Sequence, residues 1–292
     1  MNSSKWLKKF QLLYLSFFIA LLLVSLSNSA SARHPESLAK SAQPPSEVVA
    51  FDILDAVEGA VQYIQISNIS DEQEIAIGEQ TNQQVLSQYP LYNNSPIQEY
   101  VRNLGQELIN NSDSRDIPFI FQVLASDEVN AFATPGGFVY VTTGLLKTAE
   151  NRAQLASVTA HEIAHINEKH GIKGLKQAVA ARGIANTVGL DTSTLAPIAY
   201  QLAVDLPRSR SFEYEADSTG LEIMQQAGYP PEAFANFLAK LESGGGTPEF
   251  LRTHPTSDNR IEAISQKTEV DGVSNNKGQD STEYRNNVLA LM

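Results

Sequence analysis

Residues 159–171 read TAHEIAHINEKHG and hold three of the five histidines of this 292-residue chain. In a helix, residues four apart differ by about 40° of rotation, so His161 and His165 project from one face. Their imidazoles can reach a single ion. Glu162 is turned by about 100° from His161, beside such an ion, where a carboxylate can take a proton from a metal-bound water. Zinc suits this set: it is borderline-soft, has no redox chemistry, and takes three protein ligands plus water when catalytic. Leu155, Val158, Ala164 and Ile166 can bury the flanks of the helix in a core. His170 lies five residues past His165, about 140° round the helix. It is expected to miss the ion and to complement the helix dipole as a helix-end residue.

HExxH alone also fits a solvated polar helix. Glu162-Ile-Ala-His165 is in addition the ExxH of di-iron carboxylate bundles, which need a second ExxH on another helix. The residues three before His34, His161, His170 and His254 are Ser31, Val158, Asn167 and Leu251, so the chain has no second one. A third ligand must come from downstream. The best candidate is 209–220, SRSFEYEADSTG, a helix carrying Glu213, Glu215 and Asp217. Glu213 and Asp217 are four apart and share a face next to the small Ala216. One carboxylate can bind the ion while the other holds a ligand histidine through its second ring nitrogen. A plain acidic, solvated helix is the competing reading.

Around this stretch the texture is mostly helical. DEQEIAIGEQTNQQVLSQ at 71–88 follows a Ser cap and opens on an acidic turn. Residues 95–111 read as a helix capped by Ser95 with Pro96 at its first position. Two β-rich runs, IPFIFQVLAS from 117 and FVYVTTGLL from 138, look like paired strands across NAFATPGG and its Pro-Gly-Gly turn. The zinc helix is expected over about 150–170, with Asn151 or Glu150 at its start. The Ala- and Gly-rich stretch 171–206 reads either as core helices or as a lid. Helices follow at 211–227, 231–242 and 257–266.

Length and composition bound the rest. An apolar fraction of 42% is that of a globular protein. Lys5, Lys8 and Lys9, the apolar run FQLLYLSFFIALLLVSL and Ala30-Ser31-Ala32 read as a signal peptide over 1–32, cleaved near Ala32. An uncleaved N-terminal membrane anchor is the alternative. Residues 33–47 read as a flexible N-terminus that includes His34, and 48–66 as a possible helix on the main body. Residues 267–292 read as a loose polar tail in which NVLALM could dock. No later stretch is apolar enough to span a bilayer. The formal net charge of -12 becomes more negative without the three leader lysines. Such a surface repels phosphate backbones, so nucleic acid and anionic membranes are poor partners, and membrane association is expected to be peripheral at most. The absence of cysteine excludes a cysteine zinc site and a lipid-modified cysteine.

HEIAH at 161–165 followed by Glu213-x-x-Ala216-Asp217 resembles the zinc metallopeptidases of the HtpX and CAAX prenyl protease family, which are gluzincins. NAFATPGGFVYVTTGLL at 130–146, THPTSDNRI at 253–261 and EQEIAIGEQ at 72–80 resemble further elements of that family, in the same order over roughly 70–266. The resemblance implies an α+β, mostly helical zincin-like domain over 48–266, with a small β-sheet beside the HExxH helix. It implies one zinc per chain on His161, His165 and Glu213, with Glu162 as general base and Asp217 orienting a ligand histidine. It implies that His254 can approach the zinc and gate the site; a transition-state donor, or a His-Pro cap on the next helix, remain open. Arg260 is expected to clamp an acidic residue or touch substrate, unless it forms a surface ion pair. Substrate, a protein or peptide, is expected to add as a strand along 130–141, with Asn130 and Ala131 near the cleft.

Many relatives span the membrane several times, whereas this chain has only its leader, which points to the soluble, exported, BepA-like branch. The roughly 26 residues after Gln266 are too few for that branch's repeat domain. The expected protein is an envelope endopeptidase acting in protein quality control, with an assembly-assisting binding module as the rival reading.

Overall fold

The computed structural model describes residues 68–182, 192–255, 258–271 and 276–292. The proposed signal peptide, the flexible stretch after it, His34 and the possible helix over 48–66 lie outside the described residues.

The first helix, α1 (Asp71–Gln88), opens on a capping box. The Ser70 hydroxyl accepts from Gln73 N, and the Gln73 side chain accepts from Ser70 N. The second, α2 (Ser95–Asn110), is capped by Asn94, whose Oδ1 accepts from Ile97 N. Ser95 is therefore the first helical residue rather than the cap. Asn94 takes the role with an extended backbone, and its amide nitrogen also donates to the carbonyl of Leu291. Ile97, Val101, Leu104 and Leu108, spaced three and four apart, are fully buried.

Three strands follow: β1 (Ile120–Leu124), β2 (Ala131–Thr134) and β3 (Phe138–Thr142), in the spatial order β1-β3-β2. The two β-rich runs do pair, but in parallel, with Phe121 opposite Val139. Parallel strands cannot be joined by a tight turn. NAFAT, read as part of the turn, is itself the antiparallel partner of β3, with Ala131 opposite Val141. All four residues of β2 are buried, so it shows no alternation of polar and apolar residues. The Pro135–Gly137 turn joins β2 to β3, with Gly136 and Gly137 at φ 78° and 91°. A side chain at Gly136 would meet the backbone of α1 at Glu74 and Ile75.

The short α3 (Thr143–Thr148) leads to α4 (Arg152–Asn167), capped by Asn151 and carrying HEIAH. Every residue of α4 from Ala153 to Ile166 is buried, which excludes a solvated helix. Next come α5 (His170–Arg182), α6 (Thr192–Tyr200) and a π-helical turn, Gln201–Asp205. Ile172, Leu175, Val179, Leu195 and Ile198 form a small core with Ile77 of α1. The chain continues through α7 (Arg210–Gln226), α8 (Glu232–Ser243), α9 (Glu249–Thr253), α10 (Asp258–Asp271) and α11 (Ser281–Asn287). The fold is α+β and mostly helical, with its small sheet against α4.

The C-terminal segment is docked rather than loose. Asp280 caps α11, and Tyr284 and Val288 are buried in the main core. The Tyr284 hydroxyl donates to the Leu146 carbonyl at 2.8 Å, and Tyr92 donates to the carbonyl of Met292. Few apolar residues suffice here because each fills a site on an existing surface. Among the described residues no helix is long and apolar enough to cross a membrane.

Candidate metal centre

The centre is made where α7 crosses α4. Gly220 allows the approach: even a methyl group there would lie 3.2 Å from His161 Cα. Ala216, fully buried, keeps the crossing close one turn earlier. The crossing delivers Glu213 and Asp217 to opposite ends of the His161 ring. Asp217 Oδ1 is 3.1 Å from His161 Nδ1, and Glu213 Oε2 is 3.5 Å from His161 Nε2.

Four buried donors converge. His161 Nε2 lies 3.1 Å from His165 Nε2 and 3.2 Å from His254 Nδ1. Glu213 Oε1 lies 3.4 Å from His165 Nε2 and 3.2 Å from His254 Nδ1. Donors held about 2.0–2.1 Å from one ion at tetrahedral angles are about 3.3–3.4 Å apart, and these four separations lie close to that spacing, so the cluster suits a zinc-sized ion. Charge fits as well. Glu162, Glu213 and Asp217 face only two guanidiniums, Arg208 and Arg260. The third carboxylate is balanced either by a proton, which Asp217 and Glu213 favour on His161, or by a metal cation that takes that proton's place.

Glu162 is fully buried, with Oε1 3.3 Å from His254 Nε2 and Oε2 3.9 Å from Arg208 Nη2. Neither oxygen has a hydrogen-bond partner, nor has His254 Nε2. Unsatisfied buried polar atoms are rare in structural cores, and these cluster beside the donor set. The His254 ring stacks on Phe250, with centroids 4.6 Å apart, and its backbone N–H closes the end of α9. His254 thus ends α9, and its ring turns into the centre.

Arg260 reaches in from α10 with 1% exposure. Its Nε and Nη2 donate to the two oxygens of Asp217 at 2.6 and 2.7 Å, a bidentate pair. Its Nη1 lies 2.9 Å from Glu213 Oε2 and donates to the His254 carbonyl. It is a buried clamp rather than a surface ion pair. Burial pushes the Asp217 carboxyl up, but Arg260 and His161 outweigh this and hold it below the usual carboxylate range. Burial pushes His161 down, yet Asp217 and Glu213 raise it to about 9. His165 and His254 are lowered, chiefly by burial. Each therefore keeps a free lone pair.

Asn130 and Ala131 sit at the start of β2, both buried. The backbone of Asn130 is engaged by Thr142, and its side-chain oxygen has no partner.

Two contributors were not anticipated. His170 does stay out of the donor set, but it is no helix-end residue of α4. Lys169, at φ 53°, breaks the helix, and His170 begins α5. There the helix dipole opposes a positive imidazole. His170 Nδ1 instead lies 2.8 Å from His165 Nδ1, and its Nε2 lies 3.1 Å from Glu215 Oε2. The other is Arg208, one residue before the Ser209 cap of α7, which no periodicity marks.

Residues 96–268 match peptidase family M48. The chain is similar to the beta-barrel assembly-enhancing protease of Escherichia coli K12, with 32% identity over 212 residues, 67% of this chain and 44% of that protein. The Yersinia pestis protein of the same name matches equally well. The mitochondrial metalloendopeptidase OMA1 of Schizosaccharomyces pombe is 30% identical over 224 residues, 70% of this chain and 66% of that protein. The chain thus matches less than half the length of its bacterial relatives. With its buried two-histidine, one-glutamate set on crossing helices, and with the larger part of its length matched, the chain belongs to peptidase family M48.

Proposed function

We propose that the protein is a zinc-dependent endopeptidase of the cell envelope that hydrolyses peptide bonds in unfolded or damaged proteins. The observation that carries this reading is the buried donor cluster beside Glu162, whose two oxygens accept no hydrogen bond. His161, His165 and Glu213 hold one zinc per chain. When bound, zinc lowers the pKa of water towards about 7 and polarises the scissile carbonyl. Glu162 takes the proton of the attacking water and hands it to the leaving amine. Asp217 orients His161 and is itself fixed by Arg260. The exported location rests on the leader and on the bacterial relatives, whose name refers to assembly of β-barrels. Substrate approaches β2 at Asn130 and Ala131 and adds as a strand.

His254 would supply a fourth donor to the ion, and on this reading it withdraws to make room for the water that Glu162 deprotonates. That same fourth donor favours a second reading, a binding module with a structural zinc. The two part cleanly. Glu162→Gln should retain one equivalent of zinc by metal analysis and lose casein cleavage by at least about a hundredfold, the weight of a general base. A chelator should abolish cleavage by the parent. Undiminished cleavage by Glu162→Gln would defeat the mechanism. A zinc-loaded parent that cleaves nothing would leave the binding module.

A further inference from the structure

A cavity of about 380 Å³ adjoins the centre, bounded by α5, α6, the Gln201–Asp205 turn and the start of α7. Ala178, Ala199, Leu202, Leu206 and Phe212 make it mostly apolar. Leu206, one of the lining residues, is 38% exposed. The volume is at the low end of ligand pockets, which run from about 300 to 1,000 Å³, and is ample for a large side chain together with neighbouring main-chain atoms, since about 150 Å³ already holds a benzene ring.

Arg208 and Ala133 line the same cavity. The Arg208 side chain is 8% exposed, and its Nη2 donates to the Ala133 carbonyl of β2 at 3.4 Å. The same nitrogen is 3.9 Å from Glu162. Its Nε is buried with no hydrogen-bond partner. A buried guanidinium donor without an acceptor is costly, and this side chain bonds the edge strand, faces Glu162 and lines an apolar hole. Glu162 offsets the arginine charge, so the cavity does not offer a free cation to an acidic side chain.

We propose that this cavity is the subsite that receives a large apolar side chain of the polypeptide substrate, and that Arg208 Nε donates to a main-chain carbonyl of the same substrate stretch. The proposal rests on the endopeptidase reading and deepens it. The protein would select unfolded chains by the bulky apolar residues that folding hides.

The test uses quenched fluorescent peptides in which one Phe, Leu, Ala or Glu is walked through a neutral Gly/Ser background. The full-length zinc-loaded protein should cleave at a fixed register from Phe or Leu, with kcat/KM at least about tenfold above Ala and with Glu no better than Ala. Ala178→Trp fills the cavity from a partly exposed wall. Gly174→Leu fills it from a position where a new Cβ meets only Leu202, at 3.6 Å. In both, the Phe-to-Ala ratio should fall towards one. Arg208→Gln should raise KM for all peptides alike and change kcat less.

Binding of the same peptides to Glu162→Gln gives a readout that needs no hydrolysis. Preference for Phe in binding with no cleavage by the parent would overturn the endopeptidase reading and keep the subsite. Cleavage with a Phe-to-Ala ratio unchanged in both filled variants, each shown folded by its thermal transition, would overturn the subsite. So would a preference for Glu, which would mark Arg208 as an acid-selecting group.

Discussion

Behind His161, the ring nitrogen away from the donor set faces Asp217 at 3.1 Å, and both Asp217 oxygens are clasped by Arg260. Behind His165, the equivalent nitrogen faces His170 at 2.8 Å, and His170 faces Glu215 at 3.1 Å. The first backing is ionic and buried, with Asp217 6% and Arg260 1% exposed. The second is a neutral ring whose carboxylate is 44% exposed. Burial pushes His170 down to about 4 even with Glu215 beside it, so at neutral pH it stays uncharged. One proton arrangement then fits the whole second chain. His165 Nδ1–H donates to His170 Nδ1, and His170 Nε2–H donates to Glu215, which leaves the His165 Nε2 lone pair for a cation. Both backings set the tautomer, but only the first also adds a buried negative charge.

The largest effect should follow from breaking the ionic side. Asp217→Ala strips Arg260 of its bidentate partner and leaves the buried guanidinium with Glu213 as its one carboxylate among the described residues. Removing one member of a buried pair costs about 3–5 kcal/mol, to be read from denaturant midpoints. Zinc affinity should fall about 10–100-fold in a competition with a chromogenic chelator. An Asp217→Ala protein that binds zinc like the parent would show that this backing does not matter to the metal.

His170 should come next. His170→Ala removes the acceptor from His165 Nδ1, and zinc affinity should drop about tenfold, the low end for such partners. His170→Asn should recover part of the loss, since its amide oxygen can accept where Nδ1 did. Stability should move by only about 1–3 kcal/mol, because the orphaned group is neutral. If His170→Ala weakened zinc binding as much as Asp217→Ala, charge would not be the distinction between the two sides.

What could be read from the chain follows the same division. Helical spacing puts His161 and His165 on one face with Glu162 beside them and offers Glu213, Glu215 and Asp217 on a second helix, but only the resemblance singles out Glu213 as the ligand. Their convergence with His254 and Arg260 depends on a helix crossing at Gly220 and on α9 and α10, which only the family resemblance indicated. Angular counting misplaces His170 because it presumes one continuous helix, and Lys169 ends it. Arg208 lies in an irregular linker with no period to betray it. β2 gives no strand signal because it is short and buried throughout. The tail reads as polar because few of its residues are apolar, yet the docking expected of NVLALM does occur at Val288, and Tyr284 joins it in the core.

Glu215 should give the smallest effect and the finest test. Its carboxylate is held below its usual range, first by His170 and also by Lys173, so it is ionised at neutral pH. It is also close to half exposed, where water and salt screen it. Glu215→Gln keeps an oxygen that can accept from His170 Nε2 and removes only the charge. Zinc affinity should therefore change by about threefold or less, and the difference should shrink further between low and high salt. A tenfold loss that persisted in high salt would mean that charge is transmitted through His170 to His165, and the second backing would then act as the first does. A loss confined to Glu215→Ala would show that Glu215 only keeps His170 in the tautomer that accepts from His165.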